Sequence, residues 1–161
     1  MKVWRLARLR YAPTPAAAFS GEGAALRGAR WNSRGVRIAY ASASESLALL
    51  EYLVHVELAS APRDLAFFAA DIPSDAVAEL EALPPHWNAL PPPRATAAVG
   101  DAFVAGRMHL ALRVPSIVIP FAWNYMIDPA HPRFTEVTFD EPIAFKIDER
   151  LMRGSGIEPL R

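Results

Sequence analysis

The residues best suited to chemistry fall in one short stretch of the chain. Arg27, Arg30, Arg34 and Arg37 come first, then Tyr40, then Glu51. The chain carries 17 basic and 17 acidic residues, so its formal charge cancels. A local cluster of guanidinium groups in a neutral chain points to an anionic ligand rather than to general affinity for polyanions.

Two elements must deliver these groups. Val36, Ile38 and Tyr40 alternate with Arg37 and Ala39, which predicts a half-buried strand ending near Tyr40. Ser42 stands three residues before Glu45 in a capping-box pattern, and Leu47, Leu50, Val54 and Leu58 follow at helical spacing. A helix is therefore expected from about Ser44 to Leu58. Glu51 falls along the edge of that apolar stripe, not on the opposite, watery face. An acid so placed must find a partner, stay wet or shift its pKa. One reading makes it the structural ion-pair partner of a nearby arginine. The other makes it one wall of a site shared with the arginines and the tyrosine.

The rest of the chain narrows the class. It has 161 residues, is 52% hydrophobic and 21% charged, and so should fold as one globular domain with a real core. Fifteen prolines predict a loop-rich α+β protein. Cysteine is absent, which excludes disulfides and thiolate metal sites and fits a cytoplasmic protein. Arg5, Arg8 and Arg10 interrupt any signal-peptide core, and no apolar run is long enough to span a bilayer. Zero net charge argues against direct nucleic-acid binding.

Read in order, Val3 to Leu9 predicts a strand, and Tyr11 to Gly23 a loop punctuated by Pro13, Pro15, Gly21 and Gly23. Leu65 to Ile72 reads as a buried strand. Pro73-Ser74 opens an expected helix through Leu83, with Ser74 as its N-cap. Trp87 should anchor a proline-rich connection over 86–93. Thr96 to Arg107 predicts a helix with Val99 and Phe103 on one face. Leu110 to Val114 and Ser116 to Ile119 are strand-like, and Trp123 to Phe134 reads as a polar and aromatic loop. Val137 to Phe139 and Ile143 to Ile147 look like a closing strand pair. The domain should run over 1–150, with 151–161 a flexible tail.

Other chemistries find little support. His55, His86, His109 and His131 show no metal-ligand spacing, so no metal site is expected. No phosphate-loop signature occurs, and Ser116 is not inside a nucleophile-elbow pattern.

Several segments together resemble the RES-domain toxins of RES–Xre toxin–antitoxin modules. They are Gly28-Ala29-Arg30-Trp31-Asn32, the strand end at Tyr40, Leu50-Glu51, and Val114-Pro115-Ser116. Asn124-Tyr125, Asp128-Pro129, His131-Pro132 and the closing Asp148-Glu149-Arg150-Leu151 add to them. The order of these motifs covers nearly the whole chain. The departures are Phe121-Ala122 before Trp123, where a more acidic stretch is expected, and Asp128 in place of a frequent asparagine. The resemblance implies an ADP-ribosyltransferase-like α+β core of two small facing sheets. It also implies an enzyme that consumes NAD⁺ as substrate, with no separate cofactor. It carries Arg30, Glu51 and Ser116 over as catalytic candidates, and Tyr40, Arg30 and Asn124 as substrate-binding ones.

The chemistry can use these residue types. Breaking the nicotinamide–ribose bond expels a neutral leaving group through an oxocarbenium-like transition state. Arginine can hold the pyrophosphate with a planar fork of donors. Tyr40 offers a flat surface for the nicotinamide, and Glu51 a carboxylate for a ribose hydroxyl and for developing positive charge. Ser116 could bond the ribose or the nicotinamide amide, or support Glu51. Plainer roles compete: a core tyrosine, a serine closing a turn after proline, and loop ordering by Asn124 and His131. Hydrolysis or phosphorolysis of NAD⁺ is the first expectation. Mono-ADP-ribosylation of a protein, or a non-catalytic nucleotide-binding module, is the alternative. The implied partner is an Xre-type helix-turn-helix antitoxin, in a hetero-oligomer, which would supply any DNA contact.

Overall fold

The computed structural model describes residues 1–56 and 62–152. In chain order its elements are β1 (Lys2–Arg8), α1 (Pro15–Ala18), α2 (Glu22–Arg27), β2 (Ala39–Ser42), α3 (Glu45–Leu53), β3 (Leu65–Asp71) and β4 (Val77–Glu79). They continue with α4 (Arg94–Gly106), β5 (Ala111–Pro115), β6 (Trp123–Ile127), β7 (Thr138–Phe139), β8 (Ile143–Phe145) and α5 (Glu149–Met152). The expected α+β class holds.

The strands form one mixed sheet in the order β4-β5-β6-β2-β1-β3-β7, with β8 also pairing β3. Thus the ladder is continuous where two facing sheets were expected. Among the described residues only β4–β5 is parallel. The longest pairing is β1 with β3, from Lys2↔Asp71 to Arg8↔Leu65. β2 meets β1 at Trp4↔Ser42, and meets β6 from Ala39↔Ile127 to Ser42↔Asn124.

Alternation divides the core into two faces. Val3, Phe19, Ala39, Ala41, Phe68 and Tyr125 belong to one large cluster. On the other face, Leu6, Leu65 and Phe67 pack with Ala48, Leu49, Tyr52 and Leu53 of α3. Beside them a second cluster joins Trp31, Ile38, Leu112, Val114 and Met126 to Val99 and Phe103 of α4. Gly100 allows that helix to approach the arginine segment: an added Cβ would stand 1.6 Å from the Trp31 carbonyl oxygen.

Several local expectations are corrected. The Tyr11–Gly23 loop holds α1, capped by Thr14 with Pro15 at its first position, and leads into α2. In place of a helix over 74–83 there is one 3₁₀ turn, Ser74–Ala76, followed by β4. Pairing with Ala111 to Arg113 of β5 outweighs the helix propensity of that segment. The helix α3 is capped by Ser44, whose oxygen accepts from the Leu47 N–H, while Ser42 ends β2. Its buried side is the one facing Leu6 and Phe67. Leu47 is buried, but Leu50 is 37% and Val54 58% exposed, so the predicted stripe lies off the packed side; Leu58 lies outside the described residues. Ser116 to Ile119 turns out of the sheet, and the first half of the expected Trp123–Phe134 loop is the interior strand β6. β7 and β8 pair with β3, not with each other. Most of the expected tail lies outside the described residues. Among those residues no helix is long and apolar enough to cross a membrane.

Candidate active site

Between the two clusters on the α3 face runs a seam of polar side chains. Its centre is Glu51, half-buried on α3. The Ser116 hydroxyl donates to Glu51 Oε1 at 2.7 Å, and Asn124 Nδ2 donates to the same oxygen at 2.6 Å. Among the described residues no hydrogen bond reaches Oε2 and no cation pairs with the carboxylate. The sequence alternative of a Glu51–arginine ion pair is therefore absent there.

Each donor is itself held. Ser116 is fully buried just past the end of β5. Its oxygen accepts the backbone N–H groups of Val118 at 3.0 Å and Ile119 at 2.9 Å, so its proton is directed to Glu51. Closing a turn after proline and holding Glu51 are one arrangement, not rival roles. Asn124 faces Ser42 across the β2–β6 ladder, and the Ser42 hydroxyl donates to Asn124 Oδ1 at 2.7 Å. Asn124 thus works from a rigid strand. His131 orders a loop: its Nδ1 accepts the Arg133 N–H, which leaves Nε2 to donate to the Arg107 carbonyl at 3.2 Å.

Arg30 and Tyr40 stand at the seam's other end, on a segment organised by Asn32. Asn32 is 1% exposed, and its amide nitrogen donates to the carbonyls of Ala24, Ser33 and Val36. Its Oδ1 accepts from the Tyr40 hydroxyl at 2.7 Å. Burial pushes the Tyr40 phenol up from its ordinary range. The ring is half-buried against Val114, Met126 and their neighbours, so it is part of the core and part of the surface at once.

Arg30 Nη1 donates to the carbonyls of Trp87 and of Ala89, the latter at 3.1 Å. Trp87 stacks on buried Trp31 with ring centroids 6.1 Å apart, which anchors the proline-rich connection as expected. Burial lowers the Arg30 pKa, while the charge of Glu51 acts in the opposite direction. The two groups sense each other without touching. The other arginines diverge: Arg34 Nε binds the Leu26 carbonyl, and Arg37 lies 3.7 Å from Glu22 in solvent. Arg5 was not singled out by the sequence, yet it donates to the Tyr40 carbonyl at 2.8 Å, and burial lowers its pKa.

The structure therefore brings Glu51, Ser116 and Asn124 into contact and holds Arg30 and Tyr40 nearby on separate supports. Sequence reasoning missed the roles of Asn32 and Ser42. Ser42 had a usable signal, since it shares a strand face with Tyr40 two residues earlier. Chemically, the group presents a negative charge oriented by neutral donors and, some distance along, a guanidinium with further donors. Among the described residues no cluster of His, Asp and Glu suits a metal ion.

Comparisons with known proteins bear on the family and the fold. A family model described as RES domain matches residues 2–148. A protein of Photorhabdus laumondii named Toxin Res is 33% identical over 157 residues, 96% of this chain and 99% of its own. The Prs ADP-ribosylating toxin of Sphingobium sp. (strain YBL2) is 32% identical over 139 residues, 83% of this chain and 86% of its own. Among solved structures, a chain of the M. tuberculosis MbcT–MbcA toxin–antitoxin complex superposes with a TM-score of 0.71 at 18% identity. That superposition covers 94% of this chain and 86% of the other, a likeness of fold.

Proposed function

This chain belongs to the RES-domain family, and from that premise we propose that it is a toxin that consumes NAD⁺ by breaking the nicotinamide–ribose bond. The observation that carries the reading is the state of Glu51. Two neutral donors fix its Oε1, and among the described residues no cation neutralises it. A carboxylate so held can take a ribose hydroxyl on Oε2 and oppose the positive charge that develops on the sugar.

The electron pair of the breaking C1′–N1 bond returns to the pyridinium ring, which leaves as neutral nicotinamide. No residue need protonate it. Water or phosphate then forms the new bond at C1′, and a water nucleophile releases its proton to solvent. Arg30 holds the pyrophosphate with the donors not committed to Trp87 and Ala89, and the exposed part of Tyr40 receives the nicotinamide ring. Ser116 and Asn124 act on Glu51, Asn124 standing close enough to contact substrate as well.

One relative is named as an ADP-ribosylating toxin, which favours a second branch in which a protein side chain replaces water as nucleophile. The partner is an Xre-type helix-turn-helix antitoxin that covers this site in a hetero-oligomer; the structural neighbour comes from a toxin–antitoxin complex. NAD⁺ labelled in its ADP-ribose half tests the reading. Free nicotinamide with soluble label means hydrolysis or phosphorolysis. Nicotinamide with label on protein means transfer. Binding with no nicotinamide released would leave a non-catalytic nucleotide-binding module.

A further inference from the structure

We infer that Ser42 is a positioning residue for Glu51 and acts through Asn124. The inference rests on the proposed role of Glu51 and extends it to a residue outside the carboxylate's direct contacts.

The hydrogen bonds of the seam have one possible polarity. An ionised carboxylate only accepts, so Asn124 must turn its NH₂ toward Glu51. That turns the Asn124 carbonyl toward Ser42, and the Ser42 hydroxyl must then donate, as it does at 2.7 Å. Ser42 is only 4% exposed. Its backbone is fixed on both sides, by the register pair with Trp4 of β1 and the pair with Asn124 of β6. Trp4↔Ser42 is the one register pair between β1 and β2 among the described residues. Ser42 is thus a stationary donor at the narrowest point of the sheet, directly opposite the amide it holds.

Removing the hydroxyl leaves Asn124 Oδ1 without that donor. The amide plane is then braced only by the bond to Glu51, the one that matters for orientation. Within a linked chain of hydrogen bonds, loss of the outer bond also weakens the inner one. The consequence falls on the direction of Glu51 Oε2, not on the presence of its charge.

The test uses the full chain with Ser42→Ala, the near-isosteric weak donor Ser42→Cys, and Ser42→Thr. The alanine and cysteine variants should lower kcat for NAD⁺ consumption by about tenfold, the size of one net hydrogen bond, with KM little changed. Threonine, which keeps the hydroxyl, should restore most of the rate. In an Asn124→Ala background, Ser42→Ala should change the rate by less than about twofold, because the pair acts as a unit. A wild-type rate for both Ser42→Ala and Ser42→Cys, or losses that multiply with Asn124→Ala, would overturn the inference. NMR of the Asn124 side-chain amide is an activity-independent readout. Its two protons should exchange with water faster in Ser42→Ala or Ser42→Cys, and unchanged exchange would overturn the inference even if the wild-type chain proves inactive on NAD⁺. Inactivity of the wild type alone would fall on the proposed function instead.

Discussion

The polar cluster around Glu51 and the one around Arg133 are satisfied in opposite ways. Arg133 spreads its guanidinium over two carboxylates, reaching Asp75 at 3.0 and 3.2 Å and Glu136 at 2.9 and 2.8 Å. Both carboxylates there contact a cation, two negative charges sharing the one guanidinium. The carboxylates of Glu136 and Asp75 raise the Arg133 pKa, and Arg133 holds both acids below the ordinary carboxylate range. Glu51 is gripped as firmly, but by a hydroxyl and an amide that carry no charge. Orientation is supplied there and neutralisation is withheld. The first arrangement is closed and suits a structural brace between the Pro132–Glu136 turn and the Ser74–Ala76 turn. The second leaves a directed negative charge for something else to meet.

The sharpest way to break the contrast is to close the open cluster. Asn124→Lys places an ammonium where the neutral amide stood and should pair with Glu51. NAD⁺ turnover is then expected to fall about 10²–10³-fold, the usual scale for losing one electrostatic group. A steady-state assay beside a melting curve checks it, and turnover near wild type in a folded variant would remove the significance of the missing cation.

Next in size is Arg30. Arg30→Ala should lower kcat/KM about 10–100-fold, mostly through KM, as expected for a charged hydrogen-bonding group. Arg30→Lys should recover little, since an ammonium cannot bind both a carbonyl and a phosphate as a planar fork does. Equal KM values for wild type and both variants would take Arg30 out of substrate binding.

Tyr40→Phe separates scaffold from surface. It leaves the Oδ1 of buried Asn32 without its donor, so urea unfolding should show a loss of about 1–3 kcal/mol. Turnover should suffer less than in Tyr40→Ala, because the ring remains. The reverse order would make the hydroxyl, not the ring, the part that serves substrate.

The closed cluster gives the smallest effect. Asp75→Asn should barely change the melting temperature and leave NAD⁺ turnover unchanged, because exposed ion pairs contribute little and salt screens them. Its pH dependence has a definite sign. Asp75 and Glu136 are depressed in the fold, so their contribution is present above the ordinary carboxylate pKa and disappears as pH falls through their lower folded values. A melting series below pH 5 should show wild type and Asp75→Asn converging.

Glu51 stood out in the sequence because a carboxylate on the flank of an apolar helix is anomalous wherever its partner lies. Its helix was readable, but its buried side was not: Leu50 and Val54 are as apolar as Leu49 and Leu53, and only docking on β1 and β3 decides between them. The polar and aromatic density of Trp123 to Phe134 reads as a loop and puts Asn124 there, and Trp-Asn-Tyr-Met-Ile lacks the alternation that would reveal the interior strand. The partners of Ser42 and Asn32 are hidden for a different reason. They lie 82 and 8 residues away, and although the face shared with Tyr40 marks Ser42 as a candidate, no local pattern names a partner that register and chain reversal bring to it. The short helix α1 and the parallel strand β4 depend on a cap and on pairing that override weak propensity.

The most direct test of the central claim is a time course of NAD⁺ loss and nicotinamide release by wild type beside Glu51→Gln. Glutamine keeps an oxygen to accept from Ser116 and Asn124, so the seam should stay assembled and the melting temperature close to wild type. The wild-type chain should release nicotinamide, and the variant should do so about 10²–10³ times more slowly. Release at the wild-type rate by folded Glu51→Gln would contradict the claim that the uncompensated carboxylate carries the reaction.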